Sequence, residues 1–346
     1  MTINRQTQMP QQVYAVGFSA WKRRHIRAFL PESTLHFVDT QREVPARAAL
    51  LLWGNQKAEC AAQHTIRVED GFLRSVGLGA DLIAPLSYCF DRSGVYYDAS
   101  RPSDLETILR ESVFSEAILA RSQALRTRIV ALGLTKYNVG VRSWRRPARA
   151  QEVILVPGQV ESDASIQGGC GALRSNMALL QKVRTQHPYA HVIYKPHPDV
   201  VAGLRRWGEA EQEAQRYCDT VVTDVRLQDV LEQVDAVHVL TSGAGFEALL
   251  RGKPVTCHGA PFYSGWGLTT DLLPIARRQR NLSLDALVAG ALILYPRYVH
   301  PKTRRLCSVE EAVTALDAQY GRRRAYHLPL WRRAFRMVLR QVVGVR

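Results

Sequence analysis

The chain has 346 residues, more than one small core organises, so two domains are expected. Hydrophobic residues make up 46% and charged residues 22%, the balance of a folded soluble protein, which excludes a disordered chain. Forty-six Lys and Arg against 31 Asp and Glu leave a net charge of +15, which points to an anionic partner or substrate.

The opening stretch "MTINRQTQMPQQ" is polar and lacks the apolar centre of a signal peptide, and the apolar run 284–295 is too short to span a bilayer and contains Asp285. A cytoplasmic location is therefore expected. The six cysteines lie far apart, with no spacing that makes a zinc site, so reduced thiols are expected.

The first half alternates apolar runs with helical patterns. Residues 13–19, 34–39, 49–54 and 65–71 read as strands ending in Gly, Ser or Asp, and 86–98 as a hairpin turning at Arg92-Ser93-Gly94. Residues 103–133 read as one helix capped by Ser103, with Glu106 three residues on. The basic, Pro-containing stretch 142–150 is the expected linker between a domain over 12–141 and another over 151–315.

In the second half, 153–157, 191–196, 220–224, 236–240 and 254–259 read as strands separated by helices. Strands alternating with helices imply βαβ units and parallel sheets. The fold class expected is α/β, with two Rossmann-like domains facing a cleft and ligands beyond the carboxyl ends of the strands.

The last segment, 316–346, is expected to be a basic amphipathic helix. Arg322 to Arg346 hold eight arginines and no acid, and Trp331, Phe335, Val338, Val342 and Val345 fall on one helical face. Such a helix either lies on an anionic membrane or packs its apolar stripe on the body. Nucleic acid is not an expected partner, because the basic residues are not interleaved with aromatic stacking platforms.

Four strand ends carry chemistry. In 236–252 a strand runs into Thr241-Ser242-Gly243 and a helix starts at once; the free N–H groups and the Ser242 hydroxyl suit a phosphate, and Glu247 suits a ribose. The same pattern also describes a plain helix cap at Ser242. In "HVIYKPHP" the strand ends in Lys195 and in His197 held between prolines, a rigid donor pair for a departing phosphate or simply a structural turn.

The loop 156–165 presents Gln159, Glu161 and Asp163, which read as a solvated acidic turn, a metal clamp, or a carboxylate nucleophile. Glu69 and Asp70, with Arg74 nearby, end a strand of the first half; acids on opposite walls of a cleft suit chemistry at a glycosidic centre.

As a set, Glu69-Asp70-Gly71, Gln159-x-Glu161-x-Asp163, His197-Pro198 and Ser242 with Glu247 resemble the bacterial β-Kdo transferases of the KpsC type, as do "EDGFLRSVGLGADLIAPLS", "GVYYDASRPSDLE", "KPHPDV" and "PFYSGWGLT". The Glu-Asp-Gly and His-Pro pairs are shared with bacterial sialyltransferases. The resemblance covers about residues 13–315 and one module, where KpsC proteins carry two.

It implies a GT-B-type glycosyltransferase that takes Kdo from CMP-Kdo with retention, adding it to a lipid-linked glycan or Kdo-containing acceptor. It further implies Asp163 as nucleophile, Glu69 or Asp70 as base, His197, Lys195 and Ser242 with Gly243 on the CMP phosphate, and Glu247 on the ribose. Gln159 and Glu161 fall in the donor-binding set, Arg74 is the candidate for the sugar carboxylate, and no metal cofactor is expected. The alternatives are an inverting sialyltransferase-like enzyme and a non-catalytic nucleotide-sugar-binding protein.

Overall fold

The structure, a computed structural model, describes residues 9–60, 64–78 and 82–323. Its first half builds β1 (Gln12–Val16), helix α1 (Ala20–Ile26), β2 (Thr34–Val38), β3 (Ala49–Trp53), β4 (His64–Asp70) and β5 (Ser87–Asp91), then α2 (Asp104–Glu111) and α3 (Glu116–Ala131). The strands β2-β1-β3-β4 pair in parallel, and β5 runs antiparallel to β4. The apolar run "ALLLW" of β3 is what a strand covered on both sheet faces requires, and Leu50, Leu51 and Leu52 are buried.

The second half builds β6 (Val153–Pro157), α4 (Ala164–Gly169), α5 (Asn176–Gln186), β7 (His191–Lys195), α6 (Pro198–Val201) and β8 (Thr220–Val221). It continues with α7 (Leu227–Gln233), β9 (Ala236–Val239), α8 (Gly243–Leu250), β10 (Val255–Cys257) and β11 (Thr270–Asp271). These strands form a parallel sheet ordered β11-β10-β9-β6-β7-β8, the doubly wound order whose direction reverses between β6 and β9. In the first sheet the corresponding reversal lies between β1 and β3.

The chain then returns. Helix α9 (Leu284–Val288) continues as a π-helical turn over Ala289–Leu294, β12 (Pro296–Val299) pairs antiparallel with β5, β13 (Leu306–Cys307) pairs with β12, and α10 (Val309–Arg323) follows. Residues 296–307 thus complete the first sheet, whereas the boundary expected from sequence assigns them to the second domain. The hairpin expected over 86–98 does not form. Asp91 Oδ1 accepts from the Ser93 and Gly94 N–H groups at 2.9 and 2.6 Å, and Oδ2 from Asp104 N–H at 2.9 Å, so the chain turns into α2 and β12 takes the place of the return strand.

Three further expectations change. The first sheet is mixed rather than parallel. The helix expected over 103–133 is two, because Ser112 closes α2 in extended geometry and Ser115 caps α3. The stretch 142–150 is not a free linker: Arg146 Nη1 donates to Asp235 at 2.8 Å, Arg146 Nη2 to Gln151 O at 2.9 Å, and Gln233 to Trp144 O at 2.6 Å.

Two arginines draw the halves together. Buried Glu106 on α2 accepts from Arg277 and, at 2.9 Å, from Arg278, a pair whose members cannot be removed singly without leaving a buried charge. Arg280 donates to the carbonyls of Leu109, Arg110 and Ser112, satisfying the end of α2. Part of the positive charge therefore serves internal structure. The apolar run 284–295 is a buried helix packed on α2 and α3, and no described helix is long and apolar enough to cross a membrane. The expected amphipathic tail, 324–346, lies outside the described residues.

Candidate active site

A cleft of about 590 Å³ opens between the carboxyl ends of the two sheets. Glu69, Asp70 and Arg74 line one wall; Gln159, Asp163, Lys195, His197, Ser242, Gly243 and Glu247 line the other. Glu69 and Asp163, expected to converge, face the same space. Both act on the Tyr97 hydroxyl, whose ionisation is suppressed first by burial and then by these carboxylates and Asp98.

Glu69 and Asp70 close β4. Gly71 is required next, since a Cβ there would overlap the Ser87 side chain on the adjoining strand. The Glu69 carboxylate accepts from Asp70 N–H at 2.9 Å. Burial and then the neighbouring Asp70 charge push the Glu69 carboxyl up to about 7. Asp70 Oδ2 takes Arg74 Nε at 2.6 Å, while its buried Oδ1 has no hydrogen-bond partner among the described residues. Arg74 also donates to Ser75 Oγ and Ile83 O, so its guanidinium is tied to the wall and serves Asp70.

On the second wall, Asp163 stands at the N-cap position of α4, yet its carboxylate makes no cap bond. Burial raises its pKa, opposed by Arg205, His197 and Lys136. A poorly solvated carboxylate near cations is a competent nucleophile. His197 answers why a strand should end in Pro-His-Pro. Pro198 sets the first turn of α6, and His197 Nδ1 accepts from Asp199 N–H at 3.2 Å. Burial lowers the imidazole to about 4, so it is neutral and Nε2 carries the proton.

At the reversal between β6 and β9, Gln159 joins the two strand ends: its Oε1 accepts from Thr241 N–H at 2.8 Å and its Nε2 donates to Thr241 Oγ1 at 3.0 Å. Ser242 Oγ accepts from Ala244 N–H at 3.2 Å and caps α8, which leaves the hydroxyl proton able to donate. Glu247 Oε1 accepts from Lys136 N–H at 2.7 Å; Oε2 is buried without a hydrogen-bond partner among the described residues. An orphaned buried acceptor on a cleft wall suits a ligand hydroxyl.

Helix α8 crosses close to Tyr263, whose hydroxyl donates to Ser242 O at 2.5 Å. A methyl at Gly245 would overlap that hydroxyl. Gly245→Ala should destabilise the protein by about 1–3 kcal/mol, measured by urea unfolding. Gly243 differs, because a methyl there would meet open space.

Besides Arg74, two expected donor-site residues do not meet the ligand space as anticipated. Glu161 points away: its oxygens accept from Asn176 N–H at 2.7 Å and Glu209 N–H at 3.2 Å, bracing the loop from behind. Lys195 reaches the cleft wall, but its Nζ donates to Val225 O at 2.6 Å, and burial lowers its pKa to about 8. One cation missed in the sequence is Lys136. It sits on a loop pinned by Asn138 at φ 52°, whose side chain exchanges bonds with Thr135 and donates to Ser75 O. Burial works against the Lys136 charge, yet Tyr137, Asp70 and Glu69 outweigh it and raise its pKa. Tyr137 meets the His197 ring edge-on, with centroids 6.4 Å apart.

Residues 48–298 match the family model described as "Capsule polysaccharide biosynthesis protein". The chain belongs to the capsule polysaccharide biosynthesis family. Over 322 residues it is 44% identical to the capsule polysaccharide modification protein LipA of Neisseria meningitidis, covering 89% of this chain and 46% of LipA. It is 40% identical to the lipopolysaccharide-processing protein LpsZ of Rhizobium meliloti over 87% of this chain and 73% of LpsZ. The chain thus spans about half the length of the LipA relatives it matches.

Among solved structures it is similar to the Thermosulfurimonas dismutans KpsC β-Kdo 2,7 transferase, with 39% identity, a TM-score of 0.75, and coverage of 89% of this chain and 99% of that one. The β-Kdo 2,4 transferase of the same KpsC gives 30% identity and a TM-score of 0.79, with the same coverage. This member of the family has the GT-B-like architecture expected from its sequence.

Proposed function

We propose that this chain is a glycosyltransferase that moves Kdo from CMP-Kdo to a glycan acceptor, with retention, in the assembly of capsule or a related surface polysaccharide. The observation that carries the proposal is the meeting of Glu69 and Asp70 with Asp163 and His197 in one cleft at the strand ends. The β-Kdo transferase activities of the two KpsC neighbours support it.

In this reading Asp163 attacks the anomeric carbon of Kdo. The carbon–oxygen bond to CMP breaks, and its electron pair leaves on the phosphate. His197 Nε2–H, the Lys136 ammonium, the Ser242 hydroxyl and the Gly243 N–H receive that charge, with Lys195 behind them. Glu247 Oε2 takes a ribose hydroxyl, and Gln159 holds the two loops in register. In the second step Glu69 removes the acceptor hydroxyl proton, the alkoxide attacks the same carbon, and the Asp163 carboxylate departs. Two inversions give retention.

NMR of the product made from CMP-Kdo and a synthetic β-Kdo acceptor tests donor, anomer and linkage together. A β-linked Kdo is expected. Turnover of CMP-sialic acid instead, or an inverted anomer, would overturn the reading; CMP binding without transfer would leave a nucleotide-sugar-binding protein. Transfer is expected to survive a chelator, because the protein's own cations and N–H donors meet the leaving phosphate.

The same proposal places the enzyme at the cytoplasmic face of the membrane, held by 322–346. Deleting those residues should abolish flotation with anionic liposomes and leave flotation with neutral ones unchanged.

A further inference from the structure

The first sheet has its own crevice at the β1–β3 reversal, on the wall facing the nucleotide cradle. Gly17, at φ 71°, turns the chain out of β1 into α1, which brings Lys22 over the end of β3. Lys22 Nζ lies 3.5 Å from the centroid of the Trp53 ring. Trp53 is held edge-on by Phe18 and Tyr88, with centroids 6.0 and 5.5 Å away, so this is a rigid shelf. Trp21 Nε1 donates to Leu82 O at 3.2 Å and closes the outer rim. All of Trp21, Lys22, Trp53 and Leu82 line the cleft.

Glu69 is the next side chain inward. Its Oε2 lies 3.5 Å from the position a Cβ would take on Gly54, the residue after Trp53. Among the described residues no carboxylate lies within 4.0 Å of Lys22 Nζ. An ammonium pinned on a tryptophan face, partly out of water, and feeling the Glu69 and Asp70 charges without a direct ion pair to either, suits an incoming anion. Flat aromatic and apolar surface beside it suits a sugar ring.

We infer that Lys22, on the Trp53 shelf, is a specificity-determining residue that binds the carboxylate of an acidic acceptor sugar and sets its hydroxyl before Glu69. This rests on the transferase reading for its catalytic consequence, and on the shelf alone for binding. In the transferase reading the second-sheet cradle holds the nucleotide, so the lysine should have no part in donor affinity.

The test compares wild type, Lys22→Met and Lys22→Arg with two probes: the methyl β-glycoside of Kdo and the same glycoside with its carboxyl group reduced to an alcohol. Wild type should bind the acid more tightly than the alcohol by roughly tenfold or more, a charge-assisted bond being lost with the carboxylate. Lys22→Met should bring the two within about twofold. Lys22→Arg should restore most of the difference.

Saturation-transfer NMR reads this binding without any donor, so it stands even if CMP-Kdo is not turned over, and that failure would count against the transferase reading only. Where transfer is observed, Lys22→Met should raise KM for the acid acceptor and leave KM for CMP-Kdo unchanged. Equal preference for the acid in wild type and Lys22→Met, or a matching rise in the donor KM, would overturn the inference.

Discussion

Asp163→Asn should lower the transfer rate by about three orders of magnitude or more, because a neutral amide cannot form the glycosyl ester. The substitution suits a clean test. The Asp163 carboxylate caps no helix N–H, so its loss removes no backbone bond from α4. CMP affinity should stay within severalfold, since the proposed phosphate donors are on other elements. Wild type incubated with CMP-Kdo and no acceptor should show a Kdo adduct by intact-mass measurement, localised to Asp163 and absent from the variant. Undiminished transfer by Asp163→Asn would rule out the covalent route and leave the cleft to a single displacement.

Glu69→Gln should reduce transfer by roughly 10²–10⁴-fold, the range of a lost general base. It carries a second signature. The Glu69 carboxyl is pushed up to about 7, and a base must be ionised, so the wild-type rate should rise from pH 6 to 8 and then level off. The variant should lose that rise, and Asp70→Asn should keep it but move it to lower pH, because the Asp70 charge is one of the causes that raise the Glu69 carboxyl.

Stability moves the opposite way. A carboxyl raised from 4.5 in the unfolded chain favours folding while both states are protonated, and this contribution is lost as pH climbs through about 7. Glu69→Gln should therefore gain on wild type between pH 5 and pH 8, by roughly 2–4 °C in Tm. A rate profile flat in pH for wild type would remove Glu69 from the role of base.

The strand ends were legible because parallel strands buried on both faces are written as apolar runs, and each run stops at Gly, Pro, Ser or Asp where the cleft begins. Glu69, Asp163, His197 and Ser242 stand out that way, and all four line the cleft. What the sequence hid was non-local or directional. The partner of β5 lies about two hundred residues away, and no local pattern marks β12 as its neighbour. Glu161 and Asp163 differ by two positions on one loop, and nothing in that spacing says that one turns to backbone N–H groups and the other to the cleft. Lys136 follows a helix rather than a strand, so the rule that picks out the others passes over it. Lys22 is hidden by its context, one of several basic residues on α1, and only the order of the first sheet gives it a ring to rest on.

The return of the chain to its first sheet bears on how the protein can be dissected. Because β12 and β13 complete the edge beyond β5, a fragment cut before Pro296 would keep every residue of the N-terminal wall and still expose an unpaired strand border, inviting self-association. The first lobe is therefore not a contiguous piece of the gene product, whereas the strands of the second sheet all come from the single stretch 153–271. If the first lobe binds the acceptor as proposed, swapping acceptor specificity between relatives calls for grafting two separate stretches together, the one before residue 141 and the one after residue 295, rather than a single N-terminal exchange.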